Sequence, residues 1–184
     1  SFIRRIAYIT GSITAASSIM TALGMEAKDL PEPHETFIDD TTFYAQTTSV
    51  APAQSPLSVP ADDPAVKAQD VTFDSQRETI TGYLAEPAEA GTYPAVLVCH
   101  ENRGLTDHIR DVARRFAKAG YVALALDLLS REGGTANYDR DEVPSLLSNV
   151  DPSRHVNDFI AGYGYLQSLS TVEPERIGMT GYCF

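Results

Sequence analysis

The sequence contains few cysteines, few basic residues and no long hydrophobic run. Two cysteines in 184 residues exclude a multi-disulfide scaffold and a cysteine-rich zinc module. Lys and Arg total 14 against 25 Asp and Glu, and this net charge of −11 argues against nucleic acid as a partner. No stretch of about 18 residues is uniformly apolar, so no membrane span is predicted. The 43% of apolar residues is nevertheless enough for a folded core.

The first 25 residues differ in composition from the rest. Arg4 and Arg5 precede a weakly apolar run rich in small residues, and no acidic residue occurs before Glu26. A basic pair followed by such a run is typical of an export signal, here of the twin-arginine kind. The sequence therefore predicts an exported, periplasmic protein. The alternative is an amphipathic N-terminal helix on a cytoplasmic protein, with any membrane contact restricted to residues 1–25.

Residues 26–65 form an acidic segment rich in proline. It carries eight acidic residues and one basic residue, Lys28, together with six prolines. Proline at this density prevents helices and interrupts the hydrogen-bond ladders of sheets. The segment is predicted to be a linker or an arm that wraps the surface of the folded region.

Residues 66–184 show the periodicities of regular structure. The predicted strands are 71–73, 79–85, 95–99, 121–126 and 176–180, and the predicted helices are 107–119 and 152–169. The first two strands are close enough to form a hairpin, and strands then alternate with helices. This order predicts an α/β fold with a mainly parallel sheet and helices on both faces. The carboxyl ends of the parallel strands would then meet at one edge, where ligands bind in such sheets.

Residues able to do chemistry follow three of these strands. His100, Glu101 and Asn102 end the third strand, residues 127–131 follow the fourth, and Cys183 ends the fifth. The order Gly181-Tyr182-Cys183 matches half of a nucleophile elbow, in which a tight turn exposes a nucleophile at a strand end. The alternative is that Cys183 is a buried structural cysteine.

Four blocks of sequence resemble the dienelactone hydrolase family. They are residues 93–105, 111–123, 127–131 and 176–184, and they occur in the family's order and spacing. The resemblance implies an α/β-hydrolase fold for residues 66–184, represented by its N-terminal portion and ending at the nucleophile motif. It also implies a hydrolase of carboxylic esters or lactones, acting on a small molecule that carries a carboxylate.

The resemblance implies a role for five residues. Cys183 matches the nucleophile, and Glu101 matches the glutamate that pairs with the resting thiol. The backbone N–H groups of Asn102 and Phe184 match the oxyanion hole, and Arg131 matches the arginine that holds the substrate carboxylate. These roles agree with the nucleophilicity of a thiolate and the bidentate binding of carboxylates by arginine.

Several of these residues have simpler interpretations. Glu101 could be a solvated loop carboxylate, and Arg131 could pair with Glu132 or Asp127 on the surface. We expect Asp127 to bind loop backbone and the side chain of His100 to point away from the site. None of the four histidines matches the family's triad histidine, and no His-x-x-x-His or similar spacing occurs. We therefore predict no metal ion and no cofactor.

The family places its triad aspartate and histidine well after the nucleophile, whereas this sequence ends at Phe184. The sequence therefore predicts a fragment, or a disrupted gene product, with an uncovered sheet edge and little hydrolase activity by itself. The alternative function is a non-catalytic α/β-hydrolase-like fragment or interaction protein. A redox protein using Cys99 and Cys183 is disfavoured because no Cys-x-x-Cys motif occurs, although a disulfide between the two stays open.

Overall fold

The computed structural model describes residues 57–181. The predicted signal segment 1–25, most of the predicted linker 26–65, and Cys183 and Phe184 lie outside these residues. The strands are β1 (Val66–Ser75), β2 (Glu78–Pro87), β3 (Tyr93–Cys99), β4 (Val122–Leu126) and β5 (Val172–Gly181). The α-helices are α1 (Asp107–Lys118), α2 (Val143–Ser148) and α3 (Pro152–Ser168). Short 3-10 helices occupy Ser130–Glu132 and Thr135–Asn137.

The five strands form one sheet in the order β1-β2-β4-β3-β5. The hairpin strand β2 pairs antiparallel with both β1 and β4. β3 pairs parallel with β4 on one side and with β5 on the other, with Leu97 opposite Leu124 and Met179. The predicted hairpin and the predicted parallel core of the sheet are both confirmed.

The turn of the β1–β2 hairpin contains only Gln76 and Arg77. Both residues have positive φ angles, 52° and 73°. Two consecutive left-handed residues make the tight turn whose twist matches that of the flanking strands. The sequence predicted the position of this turn but not its conformation, because Gln and Arg are unusual in it.

Side chains alternate between two cores, one on each face of the sheet. Leu97 and Leu124 contribute to the core beneath α3, which includes Phe159. Val96, Val98 and Ala123 contribute to the core beneath α1. Because β4 is buried at every position, it has no polar face, as expected for a strand covered on both sides.

Helix α1 has a capping residue at its N-terminus and a glycine just after its C-terminus. The side chain of Thr106 accepts a hydrogen bond from the Ile109 N–H at the helix N-terminus. Gly120, just after the helix, has a φ of 90°, a conformation in which glycine is favoured because it has no Cβ. Helix α1 ends at Lys118 and α3 at Ser168, each one residue before its predicted end.

The described end of the predicted linker packs on α1. Val59 is buried; its N–H donates to Asp111 Oδ1 (2.7 Å), and its carbonyl accepts from Arg114 Nε (2.6 Å). Burial opposes the ionisation of Asp111, but hydrogen bonds from Arg115 and the Val59 N–H outweigh it and lower the pKa of Asp111. Val59 therefore ties the described end of this segment to α1, and the character of residues 26–65 as a whole stays a prediction.

The short helix α2 was not predicted. It spans six residues, from Val143 to Ser148, with Pro144 in its first turn. Fewer than two helical turns cannot display the 3.6-residue periodicity on which helix prediction depends. Val143 and Leu147 bury its apolar side against the core beneath α3.

Candidate active site at the carboxyl edge of the parallel strands

The ends of β3, β4 and β5 meet at one edge of the sheet. In the parallel pairing of β3 and β5, Cys99 lies opposite Gly181, and in that of β3 and β4, Val98 lies opposite Ala125. The loop that starts at His100 therefore begins beside the last described residue of β5. The predicted convergence of strand ends is confirmed for the described residues.

Glu101 and Asn102 lie in the short loop between β3 and α1. Glu101 is half-buried and Asn102 is exposed. The loop closes as a turn, in which the Gly104 N–H donates to the Glu101 carbonyl (3.2 Å). Glu101 is thus at the predicted edge of the sheet, and its pairing with a thiol stays a prediction because Cys183 lies outside the described residues.

His100 is completely buried and joins two loops. Its Nε2 accepts a hydrogen bond from the Leu128 N–H (3.3 Å), so its Nδ1 carries the proton and donates to the Glu101 carbonyl (2.7 Å). Burial lowers the pKa of His100. A neutral, buried ring fits the prediction that this side chain points away from the site.

Asp127 holds the loop that follows β4, as predicted. Its Oδ1 accepts from the Leu129 N–H (3.0 Å) and from the Thr135 hydroxyl (2.7 Å), and its Oδ2 accepts from the Thr135 N–H (2.8 Å). The Thr135 hydroxyl in turn accepts from the Leu105 N–H (3.1 Å). Sequence reasoning missed Thr135, and only its place eight residues after an aspartate in a glycine-rich loop could have drawn attention to it.

Arg131 has a different partner from the two proposed for it in the surface interpretation. Its Nη2 donates to Asp158 Oδ1 on α3 (2.6 Å) and to the carbonyl and hydroxyl of Ser75 (3.4 and 3.3 Å). The Asp158 side chain is 1% exposed and that of Arg131 14% exposed. A surface pairing with Glu132 or Asp127 is therefore wrong, because the buried carboxylate of Asp158 attracts the guanidinium more strongly than a solvated one would. The role of Arg131 toward a substrate stays a prediction.

Glu132 forms a second ion pair with α3. Its two carboxylate oxygens accept from Arg154 Nη1 and Nη2 (2.6 and 2.9 Å). Both side chains are about a quarter exposed, so solvent weakens this pair more than that of Arg131 and Asp158. Together the two pairs fasten the loop after β4 to the N-terminal half of α3.

Cys99 is a buried thiol in the core of the sheet. Burial raises its pKa to about 12. A Cβ placed on Gly181 would lie 3.3 Å from the Cβ of Cys99, so the neighbouring strand leaves little space there. Cys99 is therefore protonated at neutral pH and unsuited to nucleophilic chemistry.

No helix between residues 57 and 181 combines the length and the apolar character needed to cross a bilayer. Within the same residues, no three or more His, Cys, Asp or Glu side chains are grouped so as to hold a metal ion.

Two buried histidines predict a pH dependence of stability. Burial lowers the pKa of both His100 and His155 in the folded protein, whereas in the unfolded chain a histidine titrates near about 6.5. The unfolded state therefore binds more protons below about pH 6.5, and each histidine removes up to about 1.4 kcal/mol of stability per pH unit as the pH falls further. Above that pH their contribution is fully present.

Urea unfolding measured between pH 8 and pH 5 would check this expectation. His155→Gln should flatten the loss of stability below about pH 6.5, with His108→Gln at the exposed start of α1 as the surface control. If stability falls equally steeply below about pH 6.5 in the His155→Gln variant and in the unmodified protein, the lowered pKa of His155 does not contribute to the pH dependence.

A mixed sheet with this strand order, helices on both faces and polar loops at the carboxyl edge is the front part of an α/β-hydrolase. A model of the dienelactone hydrolase family matches residues 80–184. The chain therefore belongs to the dienelactone hydrolase family, and the α/β-hydrolase fold follows from that membership.

Related proteins and structures agree with this assignment. A candidate carboxymethylenebutenolidase of Synechocystis is 38% identical over 124 residues, which cover 65% of this chain and 50% of that protein. A crystal structure from Klebsiella pneumoniae, described as a candidate dienelactone hydrolase, is 32% identical with a TM-score of 0.59, covering 65% of this chain and 50% of that one. A dienelactone hydrolase-like promiscuous phosphotriesterase from metagenomic libraries is 27% identical with a TM-score of 0.57, again covering 65% and 50%. The chain spans about half the length of the carboxymethylenebutenolidase relatives it matches.

Proposed function

We propose that this chain carries the nucleophile and the oxyanion hole of a carboxylic ester or lactone hydrolase. The observation that carries the proposal is the pairing of Cys99 with Gly181, beside which the loop containing Glu101 begins. Cys183 follows Gly181 by two residues in the sequence. Family membership supports hydrolase chemistry, and the names of relatives support small esters or lactones as substrates.

In the proposed reaction, the thiolate of Cys183 attacks the carbonyl carbon of the ester or lactone. The N–H groups of Asn102 and Phe184 stabilise the oxyanion that forms, an effect typically worth about 100- to 1,000-fold in rate for each donor. Collapse of this intermediate breaks the carbon–oxygen bond and releases the alkoxide or enolate oxygen, which takes up a proton. Water then hydrolyses the thioester and restores the thiol. Glu101 acts on the resting thiol, as a base that keeps it available for ionisation.

Arg131 is proposed to bind the carboxylate of the substrate. Its place after β4, at the edge where the parallel strands end, and the bidentate chemistry of a guanidinium support this role. The contacts of Nη2 with Asp158 and Ser75 fix one end of the guanidinium and so limit the directions from which a carboxylate can approach.

Selective alkylation tests the proposed nucleophile. The full product of the gene is treated with iodoacetamide about two pH units below the ordinary thiol pKa of about 8.5, and each cysteine is followed by peptide mass spectrometry. We expect rapid labelling of Cys183 and parallel loss of hydrolysis of 4-nitrophenyl acetate and of a dienelactone. Cys99 is the internal control, because its buried thiol has a pKa of about 12 and should not react. Slow labelling of both cysteines in a protein without hydrolase activity would overturn the proposal in favour of a non-catalytic protein. Activity that survives modification of Cys183 would show that Cys183 is not the nucleophile.

A further inference from the structure

Thr135 connects the loop after β4 with the loop after β3. The carboxylate of Asp127 has no proton to give, so the Thr135 hydroxyl must donate to it (2.7 Å). The hydroxyl oxygen is then the acceptor for the Leu105 N–H (3.1 Å). Only a side chain that donates and accepts through one atom can form both bonds, which restricts this position to a hydroxyl residue.

Gly104 permits this connection. Its φ is 76°, and a Cβ built on it would collide with the Thr135 hydroxyl. The bond that Leu105 donates to Thr135 therefore depends on a glycine at the preceding position. Asp127 also holds the backbone N–H of the same threonine (2.8 Å), so Thr135 is bound to Asp127 through its backbone as well as its side chain.

These contacts fix the ends of the segment that contains Asn102. At its start, the Glu101 carbonyl accepts from His100 Nδ1 (2.7 Å) and from the Gly104 N–H (3.2 Å). At its end, the Leu105 N–H is held by Thr135. Because Asn102 and Arg103 lie between the two fixed points, the direction of the Asn102 N–H depends on both.

We propose that Thr135 is a positioning residue for the oxyanion hole. It acts through the backbone of the loop containing Asn102 and does not touch the substrate. The inference rests on the proposed function, because it requires the Asn102 N–H to be an oxyanion donor. A misdirected donor weakens transition-state stabilisation more than substrate binding, so removal of the hydroxyl should lower kcat and leave KM nearly unchanged.

The test compares Thr135→Val with Thr135→Ser in the full gene product. Valine keeps the branched shape and removes the hydroxyl, whereas serine keeps the hydroxyl. We expect Thr135→Val to lower kcat by about 10- to 100-fold with KM within about twofold, and Thr135→Ser to remain close to the unmodified protein. Gly104→Ala disturbs the same contact from the opposite side and should therefore lower kcat as well. It serves as the test variant if Thr135→Val fails to fold.

Hydrogen exchange of the Leu105 amide is measured on the same variants and requires no activity. Thr135→Val should speed this exchange by about tenfold, and Thr135→Ser should not. Faster exchange with an unchanged kcat would overturn the positioning role, and so would a kcat loss that serine does not rescue. Absence of hydrolysis in the unmodified protein would instead overturn the proposed function, and the positioning role with it.

Discussion

Replacement of Asp158 by alanine is expected to lower the free energy of unfolding by about 3–5 kcal/mol. The carboxylate is 1% exposed and lies 2.6 Å from Arg131 Nη2. Its loss would leave the guanidinium, itself 14% exposed, without a counter-charge beneath α3. The remaining hydrogen bonds to Ser75 are long (3.3 and 3.4 Å) and come from neutral acceptors, so they cannot replace the ion pair.

The size of this effect comes from burial rather than from the ion pair as such. The double variant Arg131→Met with Asp158→Leu removes both charges, and we expect it to recover most of the stability lost in Asp158→Ala. Glu132→Gln is the matched control, because this residue pairs the same loop with α3 through Arg154 but is about a quarter exposed. The loss of stability in Glu132→Gln should stay below about 1 kcal/mol.

Urea denaturation of the four proteins gives the comparison, and the single variants Arg131→Met and Asp158→Leu complete the double-mutant cycle. A loss below about 1 kcal/mol for Asp158→Ala would contradict the expectation, because it would mean that the guanidinium reaches solvent or another acceptor without cost. Equal losses for Asp158→Ala and Glu132→Gln would show that the difference in burial has no energetic consequence.

The order of the elements could be predicted from the sequence because the local signals agreed with one another. The helix predicted over residues 107–119 has apolar residues at helical spacing, follows Thr106 and precedes Gly120, and the observed helix differs from the predicted one by one residue. Residues 121–126 formed an apolar run too short for a helix, and the strand observed there begins at Val122. The six-residue α2 had no comparable signal, since Pro144 and its short length hid any periodicity.

Pairings across long stretches of sequence could not be predicted. Asp127 acts on Leu129 and Thr135, within eight residues of itself, and its role was inferred correctly from its place after a strand. The partner of Arg131, by contrast, is Asp158, 27 residues further along on another element. Only the packing of α3 against the sheet brings the two together, so reasoning from neighbours selected Glu132 and Asp127 instead.

The strand β5 was predicted only in part. The sequence predicted a strand at 176–180, and the structure extends it to Val172–Gly181. Its last six residues, 176–181, are only partly buried, unlike the fully buried β4. β5 lies at one end of the sheet order among the described residues.

Replacement of Cys183 by alanine is expected to reduce kcat by at least about 10⁴-fold, because removal of the proposed covalent nucleophile leaves only binding and the proposed oxyanion hole. Cys183→Ser should stay far below the unmodified protein, since a hydroxyl ionises much less readily than a thiol. Cys99→Ala is the matched control, because its buried thiol, with a pKa of about 12, is not a nucleophile at neutral pH. We expect Cys99→Ala to retain kcat and to lose about 1 kcal/mol of stability at most from the small cavity.

The measurement is steady-state hydrolysis of 4-nitrophenyl acetate and of a dienelactone by the full gene product and the three variants. A burst of 4-nitrophenolate, stoichiometric with enzyme, should precede steady turnover in the unmodified protein if the thioester accumulates, and should be absent in Cys183→Ala. Cys99 lies opposite Gly181, and Cys183 follows Gly181 by two residues in the sequence. Loss of activity on replacing Cys99, with activity retained on replacing Cys183, would place the nucleophile on β3 and contradict the proposed role of Cys183.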